Sequence, residues 1–254
     1  MSMHRPWKSL ASALALGGVV AATLALAPPA ASQSGSAVVT WFLGFNTTIP
    51  PFSDVLVRRA VATAIDRSQL AAAGNYRLAT SLEPPGCIGH NPVARLHPYN
   101  PQLAKDLLTQ SGIKPDEYGE LGLWVISVLT RADVRKRELE ILTANLRSLG
   151  LLVTVREFGN YDAFDRIAIL PVVRMSYWGV RWTGAGCAQG TFLETLVHSK
   201  GEFNRFGYRN SEVDSLLDRA RSASDRLTRT RLYNEAEQRV LDEAVIVPVW
   251  WDIR

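Results

Sequence analysis

The segment from residue 121 to residue 158 most constrains the fold, because it has the pattern of a strand, a helix and a second strand joined by short connections. An apolar run from Leu121 to Thr130 comes first, and a second apolar run, Leu151 to Phe158, directly follows Gly150. Between the two runs, leucines recur at helical spacing at Leu139, Leu142, Leu146 and Leu149. Strands joined in this way pair in parallel with a right-handed crossover. The sequence therefore predicts an α/β fold that contains a βαβ unit.

The remaining apolar patterns extend this unit to one mixed α/β domain over residues 35–254. β-branched and aromatic runs predict strands at Val38 to Phe45, Ile167 to Tyr177 and Val245 to Trp251. Capping residues predict helix starts at Ser53-Asp54, at Pro101, at a capping box of Thr130 and Asp133, at Ser211 with Asp214, and at Asp225. Residues 75–100 show little periodicity and are expected to form a long loop.

Residues 1–34 have the organisation of a secretory signal peptide. Arg5 and Lys8 precede an apolar run from Leu10 to Ala27, and Pro28 and small residues follow it. The alternative is a transmembrane anchor, since 18 apolar residues reach the lower limit for crossing a bilayer. We favour a cleaved signal, because glycines and alanines make the run weakly hydrophobic. No cysteine near the cleavage region is available to carry a lipid, so the mature protein is expected to be periplasmic or secreted, without a lipid anchor.

The charge pattern does not favour nucleic-acid binding. The formal net charge is +4, and the basic residues are spread among acidic ones instead of forming one patch. The carboxylate pair Asp162 and Asp165 is interpreted as surface charge on a polar helix turn near aromatic residues. The sequence has none of the glycine-rich motifs of nucleotide-binding folds and lacks the nucleophile motif of hydrolases, so no cofactor is expected.

The cysteines and histidines leave several alternatives open. Cys87, His90 and His97 share one loop, which raises the alternatives of a zinc site or of a cysteine nucleophile with a histidine base. An enzyme built around Cys87, His90 and Cys187 is a related alternative. None of these sets has the usual spacing or a complete group of catalytic partners, so neither a metal site nor a catalytic site is predicted. Cys87 and Cys187 lie in glycine-containing loops, which in an exported chain favours a disulfide between them.

Tryptophans provide the candidate binding surface. Trp178 and Trp182 stand beside the glycine-rich stretch Gly179 to Gly190, and Trp250 and Trp251 adjoin the last predicted strand. Exposed aromatic side chains beside flexible loops are typical of binding clefts. The alternative is that each of these residues packs in the core.

Four segments carry a family resemblance: Phe45 to Arg67, Pro98 to Gly112, Asn204 to Ala220 and Arg231 to Trp250. The first is the most specific, with the pattern N-x4-P-F-x-D-x-x-V-R-x-A-x-x-x-A-I-D-R. In this order the segments resemble the C-terminal half of the family 5 extracellular solute-binding proteins, the oligopeptide, dipeptide and nickel receptors of ABC importers. The resemblance implies a periplasmic-binding-protein-like (type II) lobe, a mixed sheet flanked by helices. It further implies a protein that is not an enzyme, binds a peptide or small solute and works with ABC permease subunits.

The resemblance also implies a difference in architecture. Members of the family close two lobes around the ligand, whereas here the predicted signal peptide runs almost directly into the second lobe. The first lobe is then expected to be absent from this sequence, and a separately encoded first lobe becomes a partner to look for. The alternative function is a truncated receptor lobe that acts as a protein-interaction module without high-affinity ligand binding.

A second difference from the family concerns the charge of the ligand. In the peptide receptors, the tryptophan at the position of Trp178 leads within three residues to an aspartate that receives the peptide's amino group. Arg181 stands in that place here. Because arginine only donates hydrogen bonds, the resemblance implies a carboxylate or phosphate bound by Arg181 and flanked by Trp178 and Trp182. The alternative is that Arg181 is an exposed residue in a loop displaced by the extra glycine-rich residues.

Export makes a prediction that mass spectrometry checks. The intact mass of the secreted protein should lack the segment up to a cleavage point between Ala31 and Ala37, because small residues follow the apolar run there. Recovery of a membrane-bound protein that retains Leu10 to Ala27 would contradict the prediction.

Overall fold

The computed structural model describes residues 38–85, 87, 89–126, 131–168, 170, 172–182 and 190–253. Side chains are described for these residues except at positions 38, 181, 182, 191 and 253. All of them belong to one compact unit, Gly35–Arg254, and the predicted signal segment lies outside the described residues. Within these ranges, no helix has both the length and the apolar character that are needed to cross a bilayer.

One mixed sheet forms the middle layer of the described chain. In chain order its strands are β1 (Val38–Phe45), β2 (Arg77–Leu78), β3 (Glu120–Ile126), β4 (Leu152–Phe158), β5 (Met175–Trp182) and β6 (Ile246–Ile253). Across the sheet the order is β2-β6-β1-β5-β3-β4. β1 pairs antiparallel with β5 and β6, whereas β3 pairs parallel with β4 and β5. The parallel pairing of β3 with β4 confirms the predicted βαβ unit.

Helices cover both faces of this sheet. They are α1 (Val55–Ala64), α2 (Arg67–Ala73), α3 (Pro101–Ser111), α4 (Ala132–Ser148), α5 (Tyr161–Ala168), α6 (Thr191–Val197), α7 (Ser211–Ser222) and α8 (Arg226–Asp242), with a short 3-10 helix at Pro115–Tyr118. The buried residues of α1 to α4 join one hydrophobic cluster with strand residues, and those of α5 to α8 join a second cluster. Successive strand residues point to opposite faces, so the clusters lie on the two sides of the sheet. The predicted mixed sheet flanked by helices is confirmed.

Local signals explain several helix boundaries. The side chain of Asn100 caps α3 by accepting a backbone N–H at 3.0 Å, and Gly112 ends that helix with a φ of 70°. A residue in this left-handed conformation is a common helix terminator, and glycine adopts it without strain. The helix predicted from Asp54 is divided at Ile65, because Asp66 uses its own side chain to cap α2.

The strand predicted from Ile167 to Tyr177 exists but starts later than predicted. The start of this run belongs to α5, and β5 begins only at Met175. Asn160 accepts the backbone N–H of Ala163 at 2.7 Å and so caps the first turn of α5. This local cap outweighs the strand preference of the apolar residues that follow.

The N-caps that the sequence predicts for α4 and α7 also differ from the N-caps in the structure. The N-cap of α4 is Arg131, which makes no side-chain capping bond, and Thr130 lies outside the described residues. α7 is capped by Asn210 instead of Ser211. Asp214 instead accepts a backbone N–H from the segment that precedes α7, at 2.8 Å. Several side chains near each helix start are able to cap it, and tertiary contacts decide among them.

Arg58 joins the beginning of α1 to the end of α8. It is 4% exposed, and its guanidinium donates to the carbonyl of Phe52 at 2.8 Å and to the carbonyl of Glu243 at 3.0 Å. Burial lowers the pKa of this guanidinium. Its neighbour Arg59 makes a similar bond to the carbonyl of Asp242 at 2.7 Å, but in an exposed contact.

Two buried carboxyl groups hold part of the loop over residues 75–100 against α6 and α8. Glu83 accepts the N–H of Gly190 at 3.2 Å, and Glu237 accepts the N–H of Leu82 at 2.7 Å. Burial, with repulsion from Glu237, raises the pKa of Glu83 to about 8, and burial raises the pKa of Glu237 to about 7. Glu83 therefore keeps its proton at neutral pH in the folded protein.

The contrast between the two arginines predicts their effects on stability. Arg58→Met should lower the free energy of unfolding by about 2–4 kcal/mol, because three carbonyl oxygens, those of Phe52, Ser53 and Glu243, lose their donor. The matched Arg59→Met should lower it by less than about 1 kcal/mol, since water replaces an exposed contact. Urea unfolding followed by circular dichroism measures both values. Equal effects of the two substitutions would show that burial of Arg58 adds nothing.

The raised carboxyl pKa values predict that stability falls as pH rises. Below pH 4.5, the ordinary pKa of glutamate, folded and unfolded chains both carry the protons. Above it the unfolded chain releases them first, so the free energy of unfolding decreases until the pH passes about 8, the folded pKa of Glu83. For Glu83 alone, the rise of the pKa from 4.5 to about 8 corresponds to a decrease on the order of 5 kcal/mol, measured by urea unfolding across this range.

Two variants test whether Glu83 causes this slope. Glu83→Gln should reduce the dependence of the free energy of unfolding on pH, because the amide keeps the acceptor oxygen and does not titrate, while Glu237 still titrates with a raised pKa. Glu140→Gln changes an exposed carboxylate on α4 and should leave the slope as it is. If Glu83→Gln leaves the pH dependence of the free energy of unfolding unchanged, that dependence comes from other groups.

Candidate functional site

Trp178 lies in β5 and packs into the second hydrophobic cluster, so its predicted exposure beside a loop is wrong. It is 4% exposed, and its ring lies 4.9 Å from that of Phe42 and 5.8 Å from that of Phe164, measured between centroids. Its indole Nε1 is buried and has no hydrogen-bond partner among the described residues. The predicted glycine-rich loop does not include residues 179–182, because β5 continues through them.

A cavity of about 450 Å³ opens beside Trp178. It is lined by Trp178 and Val180 of β5, by Tyr161, Asp162, Phe164 and Asp165 of α5, and by Phe203. Aromatic rings and carboxylates therefore make up nearly all of the wall. Ligand pockets in proteins commonly measure about 300–1,000 Å³, so the cavity has room for a small solute or one large side chain.

Two contacts fix the helix that forms this wall. The hydroxyl of Tyr161 donates to the carbonyl of Gly179 at 2.5 Å, which ties the start of α5 to β5. Arg205 donates to both carboxylate oxygens of Asp165, at 2.7 Å and 2.9 Å. Such a two-point arginine–carboxylate contact fixes orientation as well as charge. The cavity is therefore held in shape without a ligand.

The opposite face of β5 is also tightly held. Tyr177 is fully buried, receives a hydrogen bond from the indole N–H of Trp250 at 3.0 Å and donates to Glu138 at 3.4 Å. Burial raises the pKa of Glu138 to about 7 and raises that of Tyr177 well above its ordinary value. The ring of Trp41 stacks on that of Trp250 at 5.1 Å. β5 therefore presents Trp178 and Val180 to the cavity from a rigid strand.

The backbone positions of the other two predicted ligand contacts are known. Arg181 and Trp182 are the last residues of β5 and pair with Val39 and Val38 of β1. Arg181 thus belongs to the strand and not to a displaced loop. The side chains of Arg181 and Trp182 lie outside the described part of the structure, so their contact with a ligand stays a prediction.

Trp250 and Trp251 do not form an exposed surface. They are 0% and 1% exposed, and both belong to β6. Tyr76 stacks on Trp250 at 3.8 Å, and the guanidinium of Arg77 lies 5.8 Å from the ring centre of Trp251. The core interpretation, which the sequence left open, is the right one for both residues.

The residues of the zinc and cysteine alternatives have other roles. Cys87 is disulfide-bonded, so it offers no thiolate as a ligand or a nucleophile. Cys187 lies outside the described residues, and the predicted pair stays a prediction. His90 Nδ1 is 2.8 Å from the carbonyl oxygen of Glu83, and His97 Nε2 is 3.1 Å from a carbonyl oxygen at the end of α8. The described ranges contain no group of three side chains placed to bind a metal.

Sequence reasoning missed most of the cavity wall. Asp162 and Asp165 are exposed, as their interpretation as surface charges implies, but they also line the cavity. Tyr161 and Phe203 were not singled out at all. One signal was present, since residues 161–165 (YDAFD) put aromatic and acidic side chains at spacings that share one helix face.

Known proteins resemble this chain in sequence. It is 28% identical over 216 residues to heme-binding protein A of Haemophilus influenzae, an alignment that covers 82% of this chain and 38% of the relative. It is 27% identical over 215 residues to di/tripeptide-binding protein 2 of Pseudomonas aeruginosa, covering 82% of this chain and 39% of the relative. The chain thus spans about two fifths of the length of these relatives.

Solved structures share the fold. The ABC transporter substrate-binding protein CtaP from Listeria monocytogenes superposes with a TM-score of 0.74 at 18% identity, over 84% of this chain and 43% of that chain. A dipeptide-binding protein from a Pseudoalteromonas species, in complex with Met-Leu, superposes with a TM-score of 0.72 at 24% identity, over 85% of this chain and 44% of that chain.

A family comparison agrees with these similarities. The model of the bacterial extracellular solute-binding proteins, family 5 Middle, matches residues 11–202, which is more than half of the chain. Two of the four segments with family-like patterns, Phe45 to Arg67 and Pro98 to Gly112, lie within that match. The chain belongs to the bacterial extracellular solute-binding proteins of family 5.

Proposed function

We propose that this protein is an exported solute-binding component of an ABC importer and that it binds a peptide or a related small solute. The observation that carries the proposal is the preformed, mostly aromatic cavity beside Trp178, on the strand where the family resemblance expects ligand contacts. The names of the relatives support this ligand class. They include di/tripeptide-, glutathione- and heme-binding proteins, and one similar structure holds the dipeptide Met-Leu.

We propose that the ligand lies along the end of β5. A side chain of the ligand would fill the cavity next to Trp178, and its polar groups would lie near Arg181 and Trp182. Aromatic walls favour apolar ligand groups, because such contacts remove apolar surface from water at little cost in side-chain entropy. Arg181 would bind a carboxylate, since its guanidinium offers donors in a planar fork.

The proposed function also requires partners, a first lobe and ABC permease subunits. The described residues supply one wall of a cleft, and closure of a second lobe around the ligand would bury the remaining surface. A first lobe, encoded separately or elsewhere in a longer polypeptide, would supply that wall, and ABC permease subunits would receive the ligand. Binding to this lobe by itself should be weak, because much of the ligand stays in water.

A protein-interaction module is the second candidate function. The observation in its favour is the edge strand β4, where Leu152 is 58% exposed. An unpaired strand edge with an apolar side chain is a surface on which another chain can add a strand. This function needs no ligand in the cavity beside Trp178.

Filling the cavity tests the proposed function. Val180→Phe replaces an isopropyl side chain in the wall by a larger benzyl side chain, which about 450 Å³ of space can accept, and should weaken peptide binding at least about tenfold. Isothermal titration calorimetry of the exported protein with leucylphenylalanine and with related hydrophobic dipeptides measures the affinity. The matched control is Val172→Phe, which adds the same group at a position that is 58% exposed and outside the cavity.

Each outcome separates the two candidate functions. Loss of binding in Val180→Phe, with Val172→Phe like the unaltered protein, would support a ligand site beside β5. Equal binding by both variants would place the ligand elsewhere. If the unaltered protein binds no peptide, the interaction module becomes the better explanation.

A further inference from the structure

The strand β4 leaves one edge of the sheet open. It is the last strand in the sheet order, so its outer edge has no neighbouring strand among the described residues. It is seven residues long, contains neither proline nor glycine, and pairs with β3 without a bulge. Proteins commonly protect an edge strand by making it short, bulged or interrupted by proline, because its free N–H and C=O groups pair readily with another chain. β4 has none of these three protections.

The space beside this edge is open on both faces of the sheet. On one face, a groove of about 520 Å³ lies between β4 and α4 and is lined on the strand side by Val153 and Val155. Its α4 side carries both signs of charge, as at Lys136 and Glu140, so the groove does not repel chains of one sign. On the other face, Leu152 is 58% exposed. The groove and the exposed face leave room for a further strand along β4.

Two exposed side chains of opposite charge on the Leu152 face form no ion pair with a described side chain. Glu120 of β3 accepts the hydroxyl of Thr154, and Arg156 of β4 lies 6.0 Å from the ring centre of Trp124. Glu120 is opposite Leu152 in the register, and Trp124 is opposite Arg156, so these side chains share one face of the sheet. A separation of about 6 Å is the outer limit for attraction between a cation and a ring. The guanidinium of Arg156 is therefore available to a stronger partner.

We propose that a second copy of this chain pairs with the open edge, β4 against β4, in an antiparallel dimer with two-fold symmetry. The two sheets then continue into one sheet, and the free backbone groups of both edges become paired. This inference goes beyond the proposed function, because it needs no ligand in the cavity beside Trp178. It also names one occupant for the edge that the second candidate function leaves open to any protein.

The sequence of β4 selects the register of this pairing. A two-fold axis places one residue opposite its own copy, and an axis at Arg156 or Glu157 would bring like charges together, which destabilises a sheet. Val155 is the middle residue of β4, so an axis there pairs all seven residues of the two strands. In this register, the exposed Leu152 lies opposite Phe158 of the second copy.

The same register brings the two available charges together. Arg156 of one copy lies opposite Thr154 of the other, on the face that carries Glu120, and Glu120 is already bonded to this threonine. Neighbouring strands are about 4.8 Å apart, so an arginine opposite Thr154 reaches the carboxylate of Glu120 across one strand. Symmetry repeats the contact, and the dimer gains two such ion pairs. This reciprocal match of charge favours a second copy over an unrelated strand.

The dimer predicts a mass that depends on protein concentration. Sedimentation equilibrium of the exported protein from about 1 μM to about 500 μM should show a monomer–dimer equilibrium, because one pair of edge strands makes a small interface of modest affinity. A monomeric mass across the whole range would overturn the inference.

Charge reversal and its rescue test the register. Arg156→Glu and Glu120→Arg should each weaken dimerisation about tenfold or more, because each brings like charges together in two symmetric contacts. The double variant exchanges the two charges and should restore the affinity of the unaltered protein. The matched control is Arg226→Glu, which makes the same charge change at an exposed position at the start of α8.

Leu152→Thr provides a second test that changes no charge. It removes the apolar group opposite Phe158 of the second copy and should weaken the dimer several-fold. Circular dichroism checks that each variant remains folded. If Arg156→Glu and Leu152→Thr both dimerise like Arg226→Glu, the interface does not involve β4 and the inference is wrong. If the single reversals weaken the dimer and the double variant does not restore it, the register centred on Val155 is wrong.

Peptide titration of the same samples keeps this inference apart from the proposed function. A dimer that responds to the β4 variants supports the inference whether or not the protein binds a peptide. A protein that binds peptides and stays monomeric overturns the inference and leaves the proposed function in place.

Discussion

A central strand that is buried on both faces holds the structure together. Every residue of β1 from Val39 to Phe45 is buried, and the strand pairs on both edges, with β5 and with β6. Its side chains therefore contribute to both hydrophobic clusters. Polar groups are tolerated there only when they are paired, and the hydroxyl of Thr40 donates to the carbonyl of Leu82 at 3.1 Å. Gly44 is required by packing, because a Cβ atom there would lie 2.1 Å from the ring of Phe206.

The candidate site depends on this strand through β5. β5 lies between β1 and β3; it pairs with β1 along its whole length and with β3 over Met175 to Tyr177. One of its faces contacts the buried network of Tyr177, Glu138 and Trp250, and the other carries Trp178 and Val180 to the cavity. A site on such a strand loses little entropy when a ligand binds, because its wall is ordered beforehand.

The charged residues considered at this site lie on two different secondary-structure elements. Arg181 belongs to β5, at the position where the resemblance draws attention to it, whereas Asp162 belongs to α5. Glu83, Glu237 and Glu138 lie elsewhere in the interior, where burial raises the pKa of each carboxyl group.

By itself, the sequence determined the fold class, the βαβ unit, the strand at Val38 to Phe45 and the family, because these follow from periodicity and local motifs. It did not determine where β5 begins, because an apolar run such as Ile167 to Tyr177 fits a helix or a strand equally well, and a cap at Asn160 decides. Tertiary structure alone showed that Trp250 is core and that the residues of 161–165 line a cavity. The physical reason is distance along the chain. Asp165 meets Arg205 across 40 residues, and Tyr161 meets Gly179 across 18, and no local pattern specifies such pairs.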